Sequence, residues 1–433
     1  MALTGLFVLL LAAGAIPLVL SGEPIALLAW VIALLLATAL DVVLAASPRA
    51  VRVLRDGPGR TRLGESVEHE LTIVNDGSRT LRAIVRDGWQ PTVRALPLRQ
   101  RVVVPAGERR RVRERLQPFR RGVRRSEHVT VRSFGPLRLA ARQATLAAEG
   151  VVTVLPPFHS RRHLPSRLAR LRELEGRTSV MVRGQGTEFD SLREYVRGDD
   201  VRSIDWRATA RTAAPDDLVV RTWRPERDRR VVVVVDTGRN AAARVGDETR
   251  LDTAFESSLL LGALADRAGD RFDLLLYDRR MRGRVHGVSG AELLPRLVGT
   301  MADVEPELLE TDWTSVPALV RASSTQRALV VLLTTAESIA GARGLLAALP
   351  QLTAKHLVLV AAVRDPELER MRTERDDRGS VYRAAAADRA LLELDRLGDA
   401  VSRLGGTLLT APPQELPPAV ADHYLALKAA GRL

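Results

Sequence analysis

Residues 231–240 read VVVVVDTGRN. Five consecutive valines with no polar alternation describe a strand covered on both faces, as in a sheet that carries helices on either side. The carboxylate that follows, Asp236, then stands at the carboxyl end of that strand, where open α/β sheets keep their ligand sites. Working outward, helical spacing runs over 251–268, an apolar run over 271–277, a turn over 278–284 and a possible return strand over 285–288. Helical spacing returns at 291–302, 339–349, 389–404 and 417–430, and strand-like runs at 328–334, 357–363 and 406–410. This alternation predicts a doubly wound, mostly parallel α/β domain over residues 230–433. Its strand ends offer Asp236, Thr334 and Thr335, with Asn240 just beyond the first strand and Thr311-Asp312 in a later loop.

The other end of the chain is different in kind. Residues 2–20 hold no charge and residues 25–46 hold only Asp41, with Ser21-Gly22-Glu23-Pro24 between them. At 1.5 Å per residue each stretch spans about 30 Å, one bilayer core. A two-helix membrane hairpin over 1–46 is expected, because a signal peptide explains neither the second stretch nor the missing basic start. Arg49, Arg52 and Arg55 follow the second stretch while the turn carries only Glu23, so the positive-inside rule puts both termini and all soluble parts in the cytoplasm, beneath the plasma membrane. Asp41 reads as an interfacial carboxylate that snorkels or receives Arg49.

Net charge is +13, and residues 47–135 alone carry 21 Arg against nine Asp and Glu. Within 47–155, short alternating runs at 66–74, 101–104, 111–116 and 128–133 are split by turns such as Asn75-Asp76-Gly77. A basic, immunoglobulin-like antiparallel β-sandwich follows, its Arg facing outward toward anionic lipid. Few aromatic residues accompany the Arg, which argues against nucleic acid. The chain has no cysteine, so disulfides, thiolate catalysis and Cys-ligated metals are excluded.

Between these parts, residues 156–229 include GTEFDSLREYVRGDDVRSIDWRATART (186–212) and VVRTWRPERDRR (219–230). Arg193, Glu194, Tyr195, Asp199, Asp200, Arg202, Asp205, Trp206, Arg211, Trp223 and Glu226 form a charged, aromatic set too dense for a linker. Surrounding Arg should keep the carboxylates ionised and paired, which suits neither a general acid nor a free ligand. Two roles remain open: an internal clamp, with Trp206 and Trp223 buried against the sheet, or a docking surface with aromatic and Arg anchors.

These stretches, with the strand that ends in Asp236, resemble the DUF58 family, and the α/β part resembles the von Willebrand factor A fold. The resemblance covers about 250 residues and implies a divalent-cation site of the Asp-x-Ser-x-Ser type with a distant Thr and a further Asp. Here Asp236 and Thr311 match, but the serine positions read Gly238 and Asn240 and the later Asp position reads Thr335. Only a weak Mg²⁺ site at Asp236, Asn240 and Thr311 would remain, and no other cofactor is implied. The resemblance also implies a partner, a MoxR-type AAA+ ATPase.

Enzymatic readings lack parts. Asp-Thr-Gly at 236–238 matches the aspartic-protease tripeptide, but that chemistry needs a second carboxylate sharing the proton. A haloacid-type phosphatase needs Asp where Gly238 stands. No Ser/His/Asp set, His metal pair or Gly-rich phosphate loop is present. The sequence reads as a non-enzymatic, membrane-anchored scaffold or adaptor. The alternatives are a membrane-bound hydrolase using Asp236 and a structural envelope protein that binds anionic lipid.

Overall fold

The computed structural model describes residues 2–181, 188–196, 199, 201–210, 218–224 and 229–433, and divides into two compact units, Met1–Pro157 and Phe158–Leu433.

The first unit opens with the apolar stretches. The helix expected over 2–20 is instead two pieces, Gly5–Ala13 and Ala15–Ser21, and residues Ala2–Leu3 form a strand against Ala140 and Ala141. Pro17 has no amide to give the carbonyl four residues back, so the helix breaks around Gly14. Gly14 also lies tight against the neighbouring helix, since a Cβ there would lie 2.7 Å from the Trp30 ring. Trp30 Nε1 donates to the Leu10 carbonyl at 2.9 Å. The second helix, Pro24–Leu44, begins after a left-handed Gly22 with Pro at its first position. It lies within Pro24–Ala50, the one helical stretch among the described residues long and apolar enough to cross a membrane. Asp41 does not take Arg49. It is fully buried, and its carboxylate accepts the backbone amides of Leu137 (2.7 Å), Leu139 (2.8 Å) and Ala140 (3.3 Å).

The rest of this unit is two β-sheets. A six-stranded sheet contains Leu81–Asp87, Gln100–Val104 and the long pair Gly122–Phe134 and Ala140–Leu155; a four-stranded sheet contains Val51–Asp56, Val67–Asn75 and Arg109–Leu116. Strand alternation sends Leu71, Ile73, Leu81, Val85, Val112, Val129 and Val131 into one core, and Arg111, Arg113 and Arg115 out.

The same alternation carries polar side chains inward. Arg55, His69, Asp87 and Glu114 each occupy the core-facing phase of a different strand. Arg55 donates to Asp87 (Nη2 to Oδ1, 2.8 Å), to Ser126 and to the Ala148 carbonyl, and its guanidinium lies 5.0 Å from the centre of the Trp89 ring. Glu114 is 3% exposed; burial, then the neighbouring Asp87 carboxylate, push its carboxyl up to about 8. It is therefore protonated at neutral pH and donates to Asp87.

A pH dependence follows. The folded state holds the Glu114 proton more tightly than the unfolded chain, whose carboxyl has its ordinary value of 4.5. This contribution is complete below pH 4.5 and is lost as pH rises through about 8, with a slope of up to about 1.4 kcal/mol per pH unit between those limits. Urea midpoints of the full chain across this range should fall with pH for the wild type and fall less for Glu114→Gln. Parallel profiles would show that Glu114 is already ionised in the fold.

The second unit is built on a six-stranded sheet. Its spatial order is Met281–Val285, Arg271–Tyr277, Arg230–Asp236, Leu329–Leu333, Leu357–Val363 and Thr407–Ala411. The first two strands pair antiparallel and every other neighbouring pair is parallel. Val231–Val235 lie in the middle, each no more than 1% exposed, which accounts for the unbroken valine run. Helix Arg250–Arg267 is buried from Leu251 to Ala265. Its Glu256 accepts the backbone amides of His159 (3.2 Å) and Ser160 (2.9 Å), tying the start of the unit to this helix.

Candidate functional site

Strands Glu188–Glu194 and Val219–Arg224 pair antiparallel as a two-stranded sheet of their own. Arg193 and Asp199 form a two-pronged ion pair at 2.7 and 2.6 Å, and Asp199 also accepts the Val196 amide at 2.9 Å. This closes the turn after the first strand. The Asp199 carboxylate accordingly raises the affinity of Arg193 for its proton.

Asp205 closes the second turn. It caps the short helix Trp206–Thr209, taking the amides of Arg207 and Ala208 at 3.0 Å on Oδ1, while Oδ2 accepts Arg221 Nε at 2.7 Å. Its own amide donates to the Val219 carbonyl, and Ile204 bridges to Val220. Arg221 and then the Ala208 amide hold the Asp205 carboxyl below its ordinary range, so it stays ionised. Asp205 is therefore not disposed to give or take a proton at neutral pH.

Asp199 and Asp205 hold the path of the segment, but Trp206 is not buried against the sheet: it is 67% exposed. Leu192, Val196 and Val201 on the same segment are also exposed, as are Glu194 and Arg202. Tyr195 is half-buried and its amide donates to the Leu218 carbonyl at 2.7 Å. Trp223 pairs with Phe189 through its backbone. Asp200, Arg211 and Glu226 lie outside the described residues.

At the sheet's carboxyl edge Asp236 is buried and accepts three hydrogen bonds. Its Oδ1 accepts the Gly238 amide at 2.8 Å and the Thr311 hydroxyl; its Oδ2 accepts the Thr334 hydroxyl at 2.7 Å. Gly238 is required here, because a Cβ would sit 2.6 Å from Thr311 Oγ1 and 2.8 Å from the Leu309 carbonyl. Arg250 lines the same small cleft. Asn240 is exposed on the turn Arg239–Ala242. One carboxylate already holding three donors, with a guanidinium in the cleft, is a poor fit to the proposed Mg²⁺ site.

Sequence reading missed Asp278, fully buried at the end of the neighbouring strand, which accepts the Thr237 hydroxyl at 3.1 Å and the Arg280 amide at 2.9 Å. An Asp directly after an apolar strand was the available signal, as at Asp236. It also missed His159, Glu248 and Glu256, whose ligand atoms lie within 4.8 Å of one another. Burial, then the Glu256 charge, raise the Glu248 carboxyl. Both Glu256 oxygens are held by backbone amides, a structural role in itself.

The charged hairpin and the adjoining sheet have known counterparts. Residues 191–391 match the family model "Protein of unknown function DUF58". That DUF58 stretch includes Arg193, Asp199, Asp205, Arg221 and the strand ending in Asp236. The chain is 26% identical over 195 residues to the uncharacterized protein Rv1480 of Mycobacterium tuberculosis, covering 45% of this chain. An uncharacterized protein of Mycobacterium bovis, Mb1516, matches to the same extent. The match spans 60% of the length of each of these relatives. Among solved structures, the CARDB domain of a Pyrococcus furiosus protein in complex with di-metal ions is 18% identical, covering 24% of this chain and 91% of that one, with a TM-score of 0.19. A FixG-related protein from Vibrio parahaemolyticus is 9% identical, covering 24% of this chain and 96% of that one, with a TM-score of 0.15.

Proposed function

We propose that this protein is a membrane-anchored adaptor whose DUF58 hairpin docks a protein partner. The observation that carries the reading is Trp206. A tryptophan 67% exposed, next to an aspartate that caps its helix and pairs with Arg221, is an apolar anchor on a fixed backbone. Interface energy concentrates in anchors of this kind, and fixing them beforehand lowers the entropy lost on binding. Val196 and Val201, each more than 60% exposed, add apolar area on the same segment.

The sheet beside the hairpin is read as a von Willebrand factor A-like module working without a cation. The N-terminal helices are read as a two-pass anchor in the plasma membrane with the soluble parts cytoplasmic, on the strength of Arg49, Arg52 and Arg55. The family resemblance suggests a MoxR-type AAA+ ATPase as the partner, and the three donors already held by Asp236 favour an adaptor over a hydrolase.

The test is crosslinking in native membranes followed by purification and mass spectrometry, comparing the wild type with Trp206→Ala/Val201→Ser. Both side chains are exposed, so this variant should fold normally. An AAA+ ATPase captured by the wild type and depleted at least about tenfold from the variant is the expected result, corresponding to loss of one anchor. Equal recovery from both would remove the hairpin from the interface, and no ATPase in either would sink the adaptor reading.

A further inference from the structure

Arginine lies on the outward faces of both β-sheets of the first unit, but the two faces differ in what balances it. On the four-stranded sheet, Glu70 meets Arg111 at 3.1 Å and Arg113 at 3.5 Å, and Glu68 meets Arg115 at 4.0 Å. On the six-stranded sheet, the register lines up Arg101, Ile84, Arg132 and Gln143 across four strands, with Arg82 opposite Val103 in the next row. Arg82, Arg101 and Val103 are exposed, whereas Ala83 and Val102 in the other phase are buried. Arg132 donates to the neutral Gln143 at 2.9 and 3.1 Å, which leaves its charge unbalanced. Among the described residues, Arg82 and Arg101 have no carboxylate within ion-pair distance. The denser run of arginine, RRRVRERL (109–116), is thus the one that carboxylates answer, and the sparser face is the cationic one.

This cationic face starts where the chain meets the apolar helices. Arg79, two residues before strand Leu81–Asp87, donates to the Val43 carbonyl in the last turn of helix Pro24–Leu44. On the neighbouring strands, the turn 135–139 is fastened to Asp41 of the same helix, and Arg132 stands about 10 Å of strand from that turn. The turn carries Arg138, exposed and in the left-handed region at φ 59°, beside Leu137, which is 49% exposed. Thr4 Oγ1, at the start of the first helix, donates to the Arg138 carbonyl at 2.7 Å and holds the turn there. Cations this close to the end of a bilayer-length helix lie within about one Debye length, about 8 Å at physiological ionic strength, of lipid headgroups. Nucleic acid is a poorer fit, because Ile84, Val103 and Gln143 between the arginines offer no ring for a base to stack on.

We propose that the outward face of the six-stranded sheet, from Leu137 and Arg138 at its tip to Arg82, Arg101 and Arg132, rests on anionic phospholipid headgroups. The proposal rests on reading the N-terminal helices as a membrane anchor, and it assigns which of the two basic faces meets the leaflet. The attraction is that of a charged surface and needs no fixed phosphate pocket, so it is additive over the arginines and weakened by salt.

The full chain has no cysteine of its own, so a single introduced cysteine can carry a fluorescent label. Val103→Cys reports the six-stranded face, Leu54→Cys the four-stranded face and Leu35→Cys the membrane helix; these side chains are 53%, 58% and 54% exposed. Each protein is placed in nanodiscs of phosphatidylcholine, or of an equal mixture with phosphatidylglycerol, containing lipid with a nitroxide quencher on its headgroup or acyl chain. The 103 label should be quenched from the headgroup in the mixture, and released in about 1 M salt, where the Debye length is about 3 Å. Arg82→Gln/Arg101→Gln should lower its ratio of quenched to free label about fivefold per arginine, whereas Arg111→Gln/Arg113→Gln should leave it within about twofold. The 54 label should be indifferent to phosphatidylglycerol, and an unchanged 35 label reports that each variant is folded and inserted. Equal quenching of the 54 and 103 labels, or equal losses from the two double variants, would overturn the proposal. So would a 103 label that ignores phosphatidylglycerol while the acyl-chain quencher still reaches residue 35, and a response of that label to a single-stranded oligonucleotide instead would assign the face to nucleic acid. A 35 label out of reach of the acyl-chain quencher would remove the membrane anchor itself, and this proposal with it.

Discussion

Arg55→Met should cost the β-domain about 3–5 kcal/mol, a large share of any domain's stability. The Arg55 and Asp87 side chains are 8% and 2% exposed, so removing the cation strands a carboxylate away from water. Ser126 still donates to Asp87 at 2.7 Å, and Glu114 shares its proton, but neither supplies positive charge. Methionine keeps much of the side-chain volume beneath Trp89, so the loss is mainly electrostatic. Urea unfolding of the full chain, followed by intrinsic tryptophan fluorescence, measures it. The double variant Arg55→Met/Asp87→Leu should recover much of the loss, because no unpaired buried charge remains. A single variant within 1 kcal/mol of the wild type would mean that Asp87 is reached by water or already neutral.

Those residues explain what the sequence did and did not disclose. In the α/β part, the run of valines and the apolar strands at 271–277 and 357–363 coincide with strands Arg271–Tyr277 and Leu357–Val363, because burial on both faces leaves no polar residue to blur the pattern. In the β-domain, the run expected at 66–74 overlaps Val67–Asn75, and that at 111–116 falls within Arg109–Leu116. The 16-residue strand Ala140–Leu155 was not foreseen: it contains Gly150 and small residues, and its register shifts between Ala147 and Gly150. Helix Pro366–Thr373 was missed because its stretch is strongly polar and none of its residues is buried.

The buried cluster was legible in principle. In VRERL (112–116), valine, glutamate and leucine share one phase, and the inward phase of LRAIVRD (81–87) ends on Asp87. A charged residue in the apolar phase of an alternating strand is the signal, but it acquires meaning only when a second strand supplies its partner. That pairing is tertiary. The charged hairpin was legible for the same reason in reverse, since Arg193 and Asp199 are partners six residues apart and Asp205 and Arg221 lie within one charged stretch. The exposure of Trp206 was not, because composition does not say which face of a fixed turn meets solvent.

Asp41→Ala should release the apolar helices from the β-domain. A carboxylate snorkelling toward an interface would tolerate the change, whereas here the carboxylate is fully buried and accepts three backbone amides. Leu137, Leu139 and Ala140 have those amides at the turn between the two longest strands of the six-stranded sheet. The fit is close enough that a Cβ at Gly135 would lie 2.2 Å from the Asp41 carbonyl oxygen. Alanine leaves the amides without acceptors, at about 1–3 kcal/mol for each that water cannot reach. Asparagine retains one acceptor oxygen and should fall between. Hydrogen exchange of the full chain in nanodiscs should then show the 137–140 amides exchanging about 100-fold faster in Asp41→Ala, as expected for a loss near 3 kcal/mol, with the α/β unit unchanged. Thr4 supports the same joint by donating to the carbonyls of Arg138 (2.7 Å) and Leu139 (3.0 Å), so Thr4→Val should give a smaller change of the same sign at the same amides. If exchange at 137–140 is unaltered by either substitution, the helices are held to the β-domain by apolar contact among Phe7, Leu34 and Leu139, and Asp41 is dispensable.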